Sequence, residues 1–405
     1  MSLSFLTEKY KLSRNPFPPA ASGIEAEKIY IPQRWQRRFE KYYRLLSTGS
    51  GAKGFPIVGE YGSGKTALLK GYLKGFFEEK RIKTIYFKNP GVQFYDLAND
   101  LMGSLGRNEF SKALWERCKE FLRSDELYLF PRSFSDFLND LKKRSKEEEK
   151  RKVEDLSNVV IKNLKLTSDP EIAYRIASMI AETATKPYFS YRDFVAGAKG
   201  AVVAEKKEPE YFQAIIRGII EAYDVEGVAF LIDEFEEIAF PKRMTRKQTY
   251  DYLATLRSLI DLSQAENLWI VIAMTPEAAE ETRRMNPGLW QRFVHRDHLM
   301  RRDRETEFKL EPLDIEESKH LIIWWLDRAR EENKNKLFPF PKDIDKILEN
   351  RPDIRLPRPL VKLCFFALAK AENEQIEAPI PIDFIEKVVN EFYPRSKVGS
   401  ENGRK

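Results

Sequence analysis

Eight consecutive residues carry the clearest chemistry in this chain: Gly59-Glu60-Tyr61-Gly62-Ser63-Gly64-Lys65-Thr66. Glycines at this spacing let backbone amides turn inward and cradle phosphate oxygens. A helix that starts directly after them points its positive end at the same anion. Lys65 reaches the outer phosphates and the Thr66 hydroxyl suits magnesium. The expected contact set is Gly59, Glu60, Tyr61, Gly62, Ser63, Gly64, Lys65, Thr66 and Ala67, around a nucleoside triphosphate with Mg2+.

A second group follows an apolar run. Val228-Ala229-Phe230-Leu231-Ile232 ends in Asp233-Glu234. Two acids at the end of a buried strand suit a metal shell at Asp233 and a water-activating base at Glu234. The same pattern also describes a strand running into a solvated acidic turn, since Glu236 and Glu237 follow. A third run, residues 268–274, ends at Thr275, whose hydroxyl can bond the attacking water or the terminal phosphate. Thr275-Pro276 is equally an ordinary strand exit and helix start.

These groups need a scaffold that brings strand ends together. Apolar runs at 55–58, 84–87, 228–232 and 268–273 predict buried strands, and 307–310 a further edge or final strand. Helical patterns are expected over 33–46, 66–77, 94–105, 211–223, 315–330, 342–348, 359–372 and 382–392. The order strand, loop, helix, strand argues for α/β architecture with a parallel sheet and helices on both faces. Between 107 and 209 the pattern is almost wholly helical, and its charge block at 142–152 reads as a solvated helix face.

Composition narrows the classes. Hydrophobic residues are 42% and charged residues 33% of 405, which excludes wholesale disorder and an integral membrane protein. Two cysteines and three histidines give neither a disulfide framework nor a zinc pattern. The opening residues lack the apolar core of a secretory signal, so a soluble cytoplasmic protein is expected. The net charge of +6, from 69 basic and 63 acidic residues, tolerates nucleic acid without requiring it. Tyr188, Tyr191, Arg192 and Phe194 form an aromatic and basic mixture that can stack on nucleic acid or pack in a helical core.

The order of these motifs resembles the AAA+ P-loop ATPases, with a Walker A segment (Gly59 to Thr66), a Walker B strand (Val228 to Glu234), a sensor-1 strand ending at Thr275 and an all-helical C-terminal part. The entry Asn15-Pro16-Phe17 and the aromatic helix after it are similar to the Orc/Cdc6, ExeA and TnsC-like branch. The stretch from Ile232-Asp233-Glu234 through Met274-Thr275-Pro276-Glu277 is also similar to the ATP-binding proteins of BREX-type phage-defence systems. The resemblance implies Mg-dependent ATP hydrolysis by a homo-oligomer acting on DNA or a DNA-bound partner. An alternative is a nucleotide-locked assembly or signalling module without DNA.

It further implies an arginine finger at Arg292, with Arg296 in reserve, and a sensor-2 residue at Arg358, with Arg355 second. Arg292 also fits a surface or DNA-contacting charge, and Arg358 a surface arginine in a proline turn. Adenine is expected near Asn15, Pro16, Phe17 and Ile31. The corresponding divisions are an entry segment (1–50), a first core part (51–106), a helical insertion (107–209), a second core part (210–311), a helical lid (312–394) and a disordered tail (395–405). The long insertion and the absence of a winged helix after the lid depart from origin-recognition members.

Overall fold

A computed structural model describes residues 4–19, 30–48, 53–89, 91, 94–122, 133–184, 208–240, 245–262, 266–293, 308–331 and 336–394. Tyr188, Tyr191, Arg192, Phe194, Arg296 and the 395–405 tail lie outside the described residues. The chain forms two compact units. One comprises Lys41–Val58 and Leu73–Phe308; the other Met1–Glu40, Gly59–Tyr72 and Lys309–Lys405.

The larger unit is built on a parallel sheet. Its strands are β1 (Gly54–Val58), β2 (Ile82–Phe87), β3 (Gly227–Ile232) and β4 (Leu268–Met274). A two-residue β5 (Phe308–Lys309) completes the order β2-β3-β4-β1-β5. β3 and β4 are buried along their whole length, as expected where both faces of a parallel sheet are covered. The register pairs Val58 with Met274, Ile232 with Ile272, and Phe87 with Ile232. The carboxyl ends of four strands therefore lie side by side, and the chain leaves three of them at Gly59, Asp233 and Thr275. This is a mixed α/β fold of Rossmann-like type, with helices flanking a central parallel sheet.

The helical run after β2 folds onto the sheet rather than apart from it. Helices Phe94–Leu105, Arg107–Leu122, Phe134–Lys143, Lys146–Lys162, Pro170–Ala181 and Glu208–Tyr223 share one core with β2, β3 and β4. Phe110, Trp115, Ile176 and Ile215 are buried in the same cluster as Phe87 and Phe230. Local sequence sets the helix starts. Ser133 and Ser145 each close a reciprocal cap, with Asp136 and Glu148 three residues on. Asp169 caps the helix that Pro170 opens. The charge block is mostly exposed, and its acids Glu147, Glu148 and Glu149 occupy a first helical turn, where the helix dipole favours them.

In the smaller unit, the N-terminal segment is stitched to the C-terminal helices. The Tyr10 hydroxyl donates to the Ile376 carbonyl at 2.7 Å, and Asn15 Nδ2 to the Phe365 carbonyl at 3.1 Å. Phe17 is buried edge-on to Phe340, with Trp325 also beside it. These contacts place Phe17 in that unit's core and tie the half-buried Asn15 to helix Pro357–Asn373. The helix expected over 315–330 stops at Leu326, because the chain beyond it is drawn into an antiparallel bridge between Leu12 and Arg330. Among the described residues, no helix is long and apolar enough to cross a membrane.

Candidate functional site

The loop after β1 is shaped by its glycines. Gly62 has φ 82° and Gly64 φ 97°, conformations that cost other L-residues about 1–2 kcal/mol. Space adds a second restriction at Gly62, where a Cβ would lie 2.8 Å from the Cβ of Arg358. The Ser63 amide closes the turn onto the Glu60 carbonyl at 3.0 Å. Gly64 then precedes the helix Lys65–Leu68, which continues through a π-helical turn, Leu69–Leu73, into Lys74–Glu79. Tyr61 is exposed, whereas Ala67 is buried at the helix start.

Lys65 is buried to 8% exposure, and its ammonium donates to the Gly59 carbonyl at 2.7 Å. The Tyr61 ring lies 5.3 Å from the same nitrogen. Ser63 Oγ is buried with no hydrogen-bond partner among the described residues. The Arg358 amide donates to the Gly62 carbonyl at 3.0 Å, so the start of helix Pro357–Asn373 is fastened to the loop within one unit. Pro357 and Trp35 pack around Gly64. Arg358 exposes its side chain beside the loop, while Arg355 is half-buried, with an unpartnered Nε.

In the larger unit, the acids end β3. Asp233 is 2% exposed; its Oδ2 accepts from the Tyr86 hydroxyl at 3.0 Å and its Oδ1 from the Glu234 amide at 3.0 Å. The backbone is pinned on both sides of the next residue. The Asp233 amide donates to the Phe87 carbonyl of β2, and the Phe235 amide to the Ala273 carbonyl of β4. Glu234 between them takes φ 52°, a left-handed conformation that is uncommon for a glutamate. Its carboxyl reaches the surface, but neighbouring protein atoms and the charges of Asp233 and Glu237 raise its pKa above the usual range, against the pull of Lys88. Tyr86 is raised as well, by burial first and then by Asp233.

Thr275 is buried at the end of β4 and caps the helix Pro276–Met285, its hydroxyl accepting from the Ala278 amide at 3.3 Å. A hydroxyl that accepts in this way can still donate elsewhere. Arg292 is tied within its own chain, to the Asp261 carboxylate and, at 2.8 Å, to the Gly288 carbonyl. Arg283 and Arg284 are likewise paired, with Glu280 and Glu281. The described part of the arginine-rich stretch is thus largely neutralised locally.

The residues fit Mg-ATP on the chemistry of their donors. Lys65, the loop amides and the adjoining helix start suit phosphate oxygens. Among the described residues, no group of three or more His, Cys, Asp or Glu could hold a metal. Magnesium does not need such a cage, because one or two carboxylates plus substrate phosphates usually suffice. Sequence reasoning missed Tyr86, whose position near the end of β2 was the available signal. No protein-family model matches the chain, and no curated protein matches it.

Proposed function

We propose that the chain is a Mg-dependent ATPase of the AAA+ type. The observation that supports this reading is the set of adjacent carboxyl strand ends in the larger unit, where β1 leads into the glycine-rich loop, β3 ends in the acid pair and β4 ends at Thr275. Ligands of open α/β sheets characteristically bind at such an edge. Lys65 and the amides of the loop would bind the phosphates, and Thr66 and Asp233 would hold the magnesium. That ion, when bound, would neutralise charge on the phosphate oxygens. Glu234 accepts a proton from the attacking water, and Thr275 donates a hydrogen bond that orients it. Arg358 and Arg292 would supply cationic support, Arg292 from a neighbouring copy in an oligomer.

The test is nucleotide binding and phosphate release by the purified chain. Binding that strengthens with Mg2+, together with turnover that Lys65→Ala removes, supports the reading. A native protein that neither binds nor hydrolyses ATP overturns it. For the shared site, Arg292→Ala and Lys65→Ala proteins, each inactive alone, should regain activity when mixed; mixed oligomers that stay inactive return Arg292 to a structural ion pair.

Coupling of this ATPase to DNA or a DNA-bound protein is the role that the resemblance implies. The alternative is a nucleotide-locked assembly or signalling module in which ATP is structural and no DNA is bound; the observation on its side is the pairing of Arg283, Arg284 and Arg292 within the chain, among the described residues. Turnover measured with duplex DNA at low salt decides between them. Stimulation that fades as salt rises supports direct phosphate contacts.

A further inference from the structure

We propose that Tyr86 is the positioning residue for the Asp233 carboxylate, fixing it in the orientation in which it takes a divalent cation; this rests on the nucleotide-binding reading above. Tyr86 stands in β2 opposite Leu231 of β3, two residues before the acid. Its neighbours Ile85 and Phe87 are buried in the core, so strand alternation sends the Tyr86 side chain to the other face. There its hydroxyl meets Asp233 Oδ2 at 3.0 Å.

Two donors of different origin define the carboxylate plane. Tyr86 binds one oxygen from the neighbouring strand, and the Glu234 amide binds the other from the chain itself. The second bond depends on the local conformation of Asp233 itself, and the first on the register of β2 with β3. Rotation of the Asp233 carboxylate would break both. A carboxylate held in this way meets a cation already oriented, and loss of such outer partners typically lowers metal affinity by about 10–100-fold. The phenol suits the task because it donates a directional bond while its ring remains part of the sheet face.

Tyr86→Phe removes the hydroxyl and keeps the ring. The experiment is a Mg2+ titration of fluorescent ATP-analogue binding, run beside the same measurement in EDTA. The variant should need about tenfold more Mg2+ for half-maximal enhancement, with EDTA affinity equal to native. In an Asp233→Asn background, adding Tyr86→Phe should change nothing further, because the tyrosine acts through that carboxylate. A Mg2+ half-point within twofold of native overturns the assignment. So does an equal loss of affinity in EDTA, which would mark general damage. Native protein that binds nucleotide without any response to Mg2+ removes magnesium from the reading and this role with it, whereas a normal native response with an unaffected variant removes only the role of Tyr86.

Discussion

The loop after β1 and the acid pair after β3 both contain residues at positive φ, but they reach that conformation differently. The loop uses glycine at Gly62 and Gly64, so its shape comes without side-chain strain. The acid pair places a glutamate at φ 52°, held there by bonds to β2 and β4 on either side. A residue kept in a costly backbone state by its surroundings is a common mark of a functional position. The loop thus takes its shape from residue type, whereas the strand end holds Glu234 in a conformation set by its neighbours; Arg81 and Asp224 elsewhere in the larger unit also take positive φ, with no role assigned to them.

The largest effect expected from breaking this contrast is on turnover. Glu234→Gln keeps the shape and removes the base, so phosphate release should fall about 10²–10⁴-fold while ATP affinity is retained. Near-native phosphate release would return Asp233-Glu234 to an acidic turn. Lys65→Ala should act on the other side of the contrast, weakening ATP binding by about 10–100-fold through loss of a charged hydrogen-bond donor. Calorimetric titration measures it.

Stability should respond with opposite signs at the two sites. Gly62→Ala should cost about 2 kcal/mol, from its φ and from the approach of Arg358. Glu234→Gly should stabilise the fold by about 1 kcal/mol through relief of the same kind of strain, while abolishing turnover. Urea unfolding of the pair checks both, and a destabilised Glu234→Gly would show that the glutamate side chain supports the fold. The smallest effect is on pH. Glu234 must be ionised to accept a proton, and its pKa is raised, so turnover should fall on acidification at a pH above the ordinary glutamate range. Glu237→Gln removes a charge that raises it and should shift that limb to lower pH; Lys88→Gln should shift it to higher pH.

Much of the sheet was legible because parallel strands buried on both faces are written as unbroken apolar runs. The run at 228–232 extends only to Gly227–Ile232, and that at 268–273 to Leu268–Met274. The phosphate-type loop was legible for a related reason, since glycine spacing encodes backbone shape directly. Positions that depend on distant partners were not. The helix ending at Leu326 is cut short by Leu12, more than 300 residues away, and no local pattern announces that bridge. The pairing of Arg292 with Asp261 and the bond from Tyr86 to Asp233 likewise join residues that only the fold brings together. The 307–310 run yields just Phe308–Lys309 as strand, with residue 307 outside the described residues.

The common core of the sheet and the helices between Phe94 and Tyr223 has a mechanical consequence. Those helices are not an appendage that can be trimmed away, because excision would lay bare the face of β2 and β3 on which Phe87 and Phe230 lie. They are packed in one piece with the strand that ends in Asp233. Because packed interiors resist compression, a displacement at that strand end would first be felt by the side chains of this shared core. Hydrogen exchange should find Phe230 of β3 and Ile176 of helix Pro170–Ala181 opening together, as parts of a single cooperative block.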